Sequence, residues 1–241
     1  MFDRINDFIL DTLFPVSCIS CGKDDEWICE KCLNKISFKN IQVCPYCEKR
    51  ITPNGYTCFE CKKKYSLDGL LVAASYKDKF VSQAIHLYKY RFAEKISEPL
   101  GKIVLESLRQ SEMPLPDMII PIPLHPRRLR WRGFNQSELL AEYLEQKITP
   151  GFPIEVSNNL IRRIRYTEPQ MKIKNKLQRE KNIKNAFEIP RKSSDKTKNK
   201  RILLVDDVIT TGATIFECAK MLKKSGAGEV FAIVIARQGN N

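Results

Sequence analysis

Two adjacent carboxylates, Asp206 and Asp207, close an apolar run in "RILLVDDVITTGAT" (201–214), and a Thr- and Gly-rich turn follows at once. Acids accept hydrogen bonds from a ligand, whereas the amides of such a turn hold anions. One ligand must therefore offer both kinds of group. The backbone N–H groups of Thr210, Thr211, Gly212, Ala213 and Thr214, at the start of an expected helix, suit a phosphate monoester. Threonine hydroxyls add donors, and Gly212 lets the backbone come close. The carboxylates then accept hydrogen bonds from sugar hydroxyls beside the phosphate, as an acid does for ribose in dinucleotide folds. The pattern is that of a ribose 5-phosphate site. A negative site beside C1 also favours positive charge when a leaving group departs, which makes Asp206 and Asp207 the candidate catalytic pair. Two rival readings fail. A P-loop needs a Lys after its glycine turn, and none follows here. A response-regulator receiver needs a further acidic strand end and a Lys downstream, and only 34 residues follow Asp207.

A second group of side chains has metal chemistry. Eight of the nine cysteines fall into four C-x-x-C pairs: Cys18 and Cys21, Cys29 and Cys32, Cys44 and Cys47, Cys58 and Cys61. Each such turn aims two thiolates at one ion, and two turns complete a tetrahedron. Eight ligands make two zinc sites. All-thiolate sites are closed, so they read as structural. Sequential pairing joins the first two pairs and the last two; a cross-braced arrangement, first pair with third, is also open. Disulfides would need an exported chain, and the acidic start "MFDRINDFILDTLF" does not read as an export signal. Cys218 stands alone on an expected helix and reads as a core residue.

The elements that must position these groups follow from periodicity. Asp3, Asp7 and Asp11 oppose Phe2, Ile5, Ile9 and Leu13, so residues 1–14 read as a short amphipathic helix. Residues 15–65 hold the cysteine module, and residues 66–241 alternate strands and helices. Strands are expected at 69–76, 117–123, 185–189, 201–207 and 229–237, with helices near 79–91, 93–110, 135–147 and 213–225. Continuous apolar strands between helices imply an α/β fold, a mostly parallel sheet covered on both faces. Ligands of such sheets sit beyond the carboxyl ends of the strands, where Asp206 and Asp207 lie. The polar run 190–200 reads as an exposed loop. No apolar run approaches the roughly 18 residues that span a bilayer.

Charge is segregated. The net charge is +13, and residues 121–201, with 20 Lys and Arg against 8 Asp and Glu, carry nearly all of it. Such a third points to a polyanion. Within it, Arg127, Arg128 and Arg130 flank Trp131, and all follow a strand end. Guanidinium forks suit phosphate oxygens, and an indole among them offers a stacking surface for a base. Packing of Trp131 beneath its loop is the alternative. His125, between residues that favour a turn, reads as a turn residue. Lys89 or Arg91, in "YKYR", would add a cation near the sheet.

"ILLVDDVITTGAT" resembles the phosphoribosyl-pyrophosphate (PRPP) motif of type I phosphoribosyltransferases. "PIPLHPRRLRWRGFNQSELLA" (121–141) and "LIRRIRYTEPQMKIKNKLQREKNIKNAF" (160–187), after a four-pair cysteine module, resemble the ComF/ComFC family of competence proteins. The resemblance implies a double zinc ribbon with two structural zinc ions, followed by a phosphoribosyltransferase-like domain. It implies PRPP with Mg²⁺ as ligand, Arg132 and Gly133 as part of a pyrophosphate loop, and Arg162, Arg163, Arg165 and Thr167 on a flexible loop that closes over it. Lys172, Lys174, Lys176, Arg179, Lys181 and Lys184 would form a solvated helix face behind that loop. The family's association with DNA uptake implies single-stranded DNA and proteins of the competence machinery as partners, and a cytoplasmic place near the inner face of the membrane. Two function classes follow: a PRPP-binding protein that handles single-stranded DNA, and a transferase that moves phosphoribose to an acceptor.

Overall fold

The computed structural model describes residues 16–89, 95–168, 173 and 175–239. The helix expected over 1–14, and Arg91, Lys172 and Lys174, lie outside the described residues. The cysteine module carries two short helices, α1 (Glu30–Leu33) and α2 (Phe59–Lys62), and a 3-10 turn at Pro53–Gly55. Then follow β1 (Gly69–Ser75), α3 (Lys79–Leu87), α4 (Ser97–Arg109), β2 (Met118–Pro121), α5 (Pro126–Arg132), α6 (Gln136–Ile148), β3 (Glu155–Val156) and β4 (Arg162–Arg163). The chain continues through α7 (Lys176–Ile183), β5 (Phe187–Glu188), a 3-10 stretch at Arg191–Thr197, β6 (Arg201–Ile209), α8 (Ala213–Lys224) and β7 (Glu229–Arg237).

Five strands form a sheet in the order β1-β7-β6-β2-β3, every pair parallel. The period of two sorts its residues to two cores. Leu203, Val205, Phe231, Ile233 and Ile235 face the layer holding α3, α4 and α6. Ile202, Leu204, Val230, Ala232 and Val234 face the layer of α8. Burial on both faces is why β6 and β7 read as unbroken apolar runs. Asp78 caps α3 by accepting from the Phe80 and Val81 amides, and Asn135 caps α6 by accepting from the Ser137 amide.

The cysteine module covers the sheet edge at β1. Isolated antiparallel bridges join Phe38 to Ala74 and Tyr56 to Gly69. The Gln42 amide both donates to the Val72 carbonyl (3.0 Å) and accepts from the Val72 N–H (3.2 Å). Gly55 has φ +70°, and a Cβ there would lie 2.0 Å from the Leu70 carbonyl oxygen. Only glycine lets the module approach the strand so closely. An otherwise open edge is thereby paired and hidden.

Three expectations need correction. Residues 185–189 do not join the main sheet: Phe187–Glu188 pairs antiparallel with Arg162–Arg163 as a separate ribbon, because the run is too short and half polar to be buried on two faces. Residues 190–200, expected as an exposed loop, are exposed over most of their described length but are not irregular. They hold the 3-10 stretch, its Thr197 is fully buried, and Thr197 Oγ1 donates to the Ser225 carbonyl at 2.8 Å. The stretch 126–132, read as loop, is helix α5, since Pro126 at its first turn has the required φ and lacks an N–H that would go unpaired.

Candidate functional site

Strand β6 outruns β2. Pro121, the last residue of β2, lies beside Val205, so Asp206 and Asp207 extend past that end. They form the floor of a cavity of about 560 Å³. Asp206 Oδ1 accepts from Ser137 Oγ (3.0 Å) and from the Asp207 amide (2.9 Å). Asp207 Oδ1 accepts from the Val208 amide (2.7 Å), and Lys89 Nζ lies 3.5 Å from its Oδ2. Burial and the neighbouring charge of Asp207 push the Asp206 carboxyl up to about 7. Lys89, expected near the sheet, is thus the cation on the acidic pair.

From β6 the chain turns through Thr210 and Thr211 to Gly212, which has φ +83° and caps α8. A Cβ on Gly212 would come within 2.4 Å of the Phe216 ring. The backbone therefore favours glycine here, and any other side chain would have to displace the ring. Thr210, Thr211, Gly212, Ala213 and Thr214 all line the cavity.

The opposite wall is basic. His125 begins α5, its Nδ1 accepting from the Arg127 amide (3.2 Å), and Gly133 at φ 92° ends it. His125 is a capping residue, as its place in a turn predicts. Arg127, Arg128, Trp131 and Arg132 line the cavity from this helix, and Arg163 and Tyr166 join them from β4 and the segment after it. Arg128 Nη2 donates to the Thr167 carbonyl (2.9 Å), and Arg163 Nη2 donates to Thr167 Oγ1. Arg127 and Arg128 stand over the Tyr166 ring at 5.0 and 5.6 Å, in cation–π contact. Trp131 is 73% exposed. The alternative in which it packs beneath its loop is therefore not what the fold adopts.

An anion fits this wall. Arg163 is 7% exposed. Burial and the charge of Arg128 bring its pKa down to about 10, so it remains a cation at neutral pH. Arg163 Nε, Arg132 Nε and Thr211 Oγ1 are buried without a hydrogen-bond partner, and all three residues line the cavity. Buried polar groups are rarely left unpaired. Three around one cleft make a set of donors for phosphate oxygens.

Not every expected site residue reaches the cavity. Arg130 and Arg162 are exposed outside it. Gly133 ends α5 and is not among the lining residues, and Arg165 is held elsewhere, donating to the carbonyls of Asn182 (2.9 Å) and Lys184 (2.7 Å). Thr167 supports the two arginines without lining the cavity. Of the basic face behind that segment, Lys181 and Lys184 on and after α7 are exposed, and Arg179 turns back to donate to the Ile173 carbonyl. The sequence reading missed Ser137, Tyr166 and Gln238. Ser137 stands in the first turn of α6, where a hydroxyl reads as helix-start chemistry. Tyr166 and Gln238 carry no spacing signal.

The eight clustered cysteines are free thiols grouped sequentially. Cys18, Cys21, Cys29 and Cys32 form one set, and Cys44, Cys47, Cys58 and Cys61 the other, with ligand atoms in each set within 4.8 Å of one another. The cross-braced arrangement is not formed. Backbone amides point at the sulfurs: Cys29 N–H at Cys18 Sγ (3.5 Å) and Cys58 N–H at Cys44 Sγ (3.4 Å). Burial opposes ionisation of Cys18, but amide donors outweigh it and bring the thiol down to about 6. Cys61 goes the other way, up to about 12, through burial and its cysteine neighbours. Four thiolates this close repel unless a cation sits among them. Each set fits one structural zinc ion.

Comparison with known proteins agrees with this two-part construction. The double zinc ribbon domain family matches residues 9–62, and the phosphoribosyl transferase domain family matches residues 138–241. The chain is 30% identical over 233 residues to competence protein F of Haemophilus influenzae, covering 93% of this chain and 98% of that protein. It is 32% identical over 210 residues to the DNA utilization protein YhgH of Escherichia coli K12, covering 84% and 87%. It is 26% identical over 223 residues to competence protein ComFC of Bacillus subtilis, covering 89% and 86%. Among solved structures it is similar to the glutamine PRPP amidotransferase of B. subtilis complexed with ADP and GMP, with a TM-score of 0.38 and 20% identity over 59% of this chain and 27% of that one. Among the described residues, no helix is long and apolar enough to cross a membrane.

Proposed function

This chain belongs to the ComF/ComFC family of competence proteins, and from that premise we propose that its cleft binds PRPP with Mg²⁺ and that its basic wall also receives single-stranded DNA. One observation carries the reading: the acidic pair and the glycine loop line the same cavity as Arg132 and Arg163, whose buried Nε groups have no acceptor. The Thr210–Thr214 amides take the 5-phosphate. Asp206 and Asp207 accept from the ribose hydroxyls, with Ser137 orienting Asp206. Arg132 and Arg163 take pyrophosphate oxygens. Mg²⁺ arriving with PRPP neutralises part of the pyrophosphate charge. DNA phosphates run along Arg127, Arg128 and Arg130, and Trp131 stacks on a base.

Transfer is the second reading. Its support is the intact acidic pair with a dedicated orienting hydroxyl, more than anion binding requires. In that reaction the C1–O bond to pyrophosphate breaks and its electrons leave on pyrophosphate. Positive charge at C1 is stabilised by Asp206 and Asp207, and a lone pair of the acceptor forms the new bond.

Calorimetry with PRPP and Mg²⁺ tests the first reading. Saturable heat is expected, and its absence in the folded wild type overturns the ligand assignment. Salt titration of a fluorescent oligonucleotide tests the second partner. The affinity should fall with a slope of about −0.7 per neutralised phosphate. No binding at low salt removes DNA and leaves the basic wall to PRPP. Pyrophosphate release on adding candidate acceptors reports the transfer.

A further inference from the structure

The two cysteine sets meet the rest of the protein in different places. The first packs against Phe80 at the start of α3. The second sends a ring toward the cleft. Tyr46, inside the turn between Cys44 and Cys47, stacks on Tyr65 at 4.0 Å and 11°, and on Phe216 of α8 at 4.2 Å and 27°. Phe216 in turn covers Gly212, so close that a single added carbon would meet its ring at 2.4 Å. The three rings make a column that starts at the second cysteine set and ends on the loop glycine. The Tyr46 hydroxyl accepts from the Leu67 amide (2.9 Å), two residues before β1. The same turn is gripped from β7: Arg237 Nη2 donates to the Pro45 carbonyl (3.1 Å), and its Nη1 lies 3.6 Å from Glu48. The next residue, Gln238, lines the cavity, and its amide donates to the Ile209 carbonyl (2.9 Å) just before the loop.

We infer that Tyr46 is a positioning residue for the glycine loop: it holds Phe216 against Gly212, so that the second cysteine set fixes the direction of the loop amides without touching the ligand. The inference rests on the phosphate-binding reading of that loop. Its physical basis is that the loop is tied by backbone hydrogen bonds at its two ends, from the Gln238 amide to the Ile209 carbonyl and from the Phe216 amide to the Gly212 carbonyl, whereas Gly212 between them, at φ +83°, carries no side chain of its own to pack and takes its contact from the Phe216 ring. Stacked rings supply a stiff contact, with few torsions to relax. Among the described residues, the first cysteine set packs on Phe80 of α3 and does not line the cavity.

The test uses the full chain in three variants, Tyr46→Ala, Tyr46→Phe and Phe216→Leu, with zinc content measured for each. Amide hydrogen exchange is followed in the ligand-free protein, and PRPP affinity is measured by calorimetry. Exchange at 211–216 should speed up in Tyr46→Ala and Phe216→Leu, stay near wild type in Tyr46→Phe, and stay unchanged in β2 and α4. PRPP binding should weaken about tenfold in the first two, the equivalent of one lost ring pair. Should Tyr46→Ala lose zinc, Phe216→Leu carries the test, because it leaves the cysteine turns untouched. Unchanged exchange at 211–216 in Phe216→Leu overturns the inference, whatever PRPP does. Altered exchange in a wild-type background that binds no PRPP leaves the positioning role standing and overturns the ligand reading alone.

Discussion

On the strand wall of the cleft, Asp206 and Asp207 already hold donors: Ser137, two backbone amides and Lys89. On the helix wall, Arg132 and Arg163 keep buried Nε groups with no acceptor. The acidic wall is oriented before any ligand arrives. The basic wall keeps two donors unpaired, at Arg132 Nε and Arg163 Nε. This contrast teaches which substitutions should cost binding and which should also change the free protein. A group that is buried, charged and incompletely paired destabilises the fold it serves.

The largest effect should come from the oriented wall. Replacing Asp206 and Asp207 together with Ala should reduce PRPP affinity at least a hundredfold, since hydrogen bonds to charged groups are each worth roughly 1.5–3 kcal/mol. The free variant should melt no lower than wild type at pH 8, because two neighbouring carboxylates no longer repel. Calorimetry and a thermal melt on the same preparation read both. Unchanged affinity in the folded variant would break the ribose assignment.

The basic wall should respond with less. Arg163→Met, which keeps the stem and removes the charge, should cost roughly 1.5–3 kcal/mol of PRPP or pyrophosphate binding. The free protein should lose little, because the buried charge it gives up is only partly paired. Pyrophosphate should then raise the melting temperature of wild type more than that of the variant. Equal shifts would mean that Arg163 does not meet the anion.

At the rim, Trp131→Ala should cost about 1–3 kcal/mol of single-stranded DNA affinity with little change in the salt slope, since stacking and phosphate contacts are separate contributions. A changed slope with unchanged low-salt affinity would assign Trp131 to shaping the arginines rather than to stacking.

The smallest effect is with pH. The folded-state pKa of Asp206, about 7, lies above its ordinary 3.8. The folded protein therefore holds this proton more tightly than the unfolded chain. Stability from this group is present below about pH 4 and is lost as pH rises to about 7. PRPP affinity should move the opposite way, rising severalfold between pH 6 and 8, because the ionised carboxylate is the better acceptor. Asp206→Asn should flatten both profiles, read by melts and titrations across that range. A profile that persists in Asp206→Asn would place the titrating group elsewhere.

Much of this was legible in the order of residues. The continuous apolar runs 201–207 and 229–237 announced buried parallel strands, and burial on both faces bears that out. Four C-x-x-C turns announced two tetrathiolate sites, because a turn aims its own two sulfurs whatever surrounds it. Asp206 through Thr214 announced a strand end, a glycine turn and a helix start, which line one cavity, because all three are local geometry. Other features were decided by the tertiary structure. Sequential rather than crossed pairing of the cysteines depended on how the module lies on β1. Trp131 was left in solvent by where α5 ends. Tyr46 met Phe216 across 170 residues, and Arg163 came over Asp206 from a separate ribbon. Short-range sterics and hydrogen bonding fix a turn or a strand from its own residues. Which distant segments touch is settled only when the assembled sheet and its two cores leave one place for each.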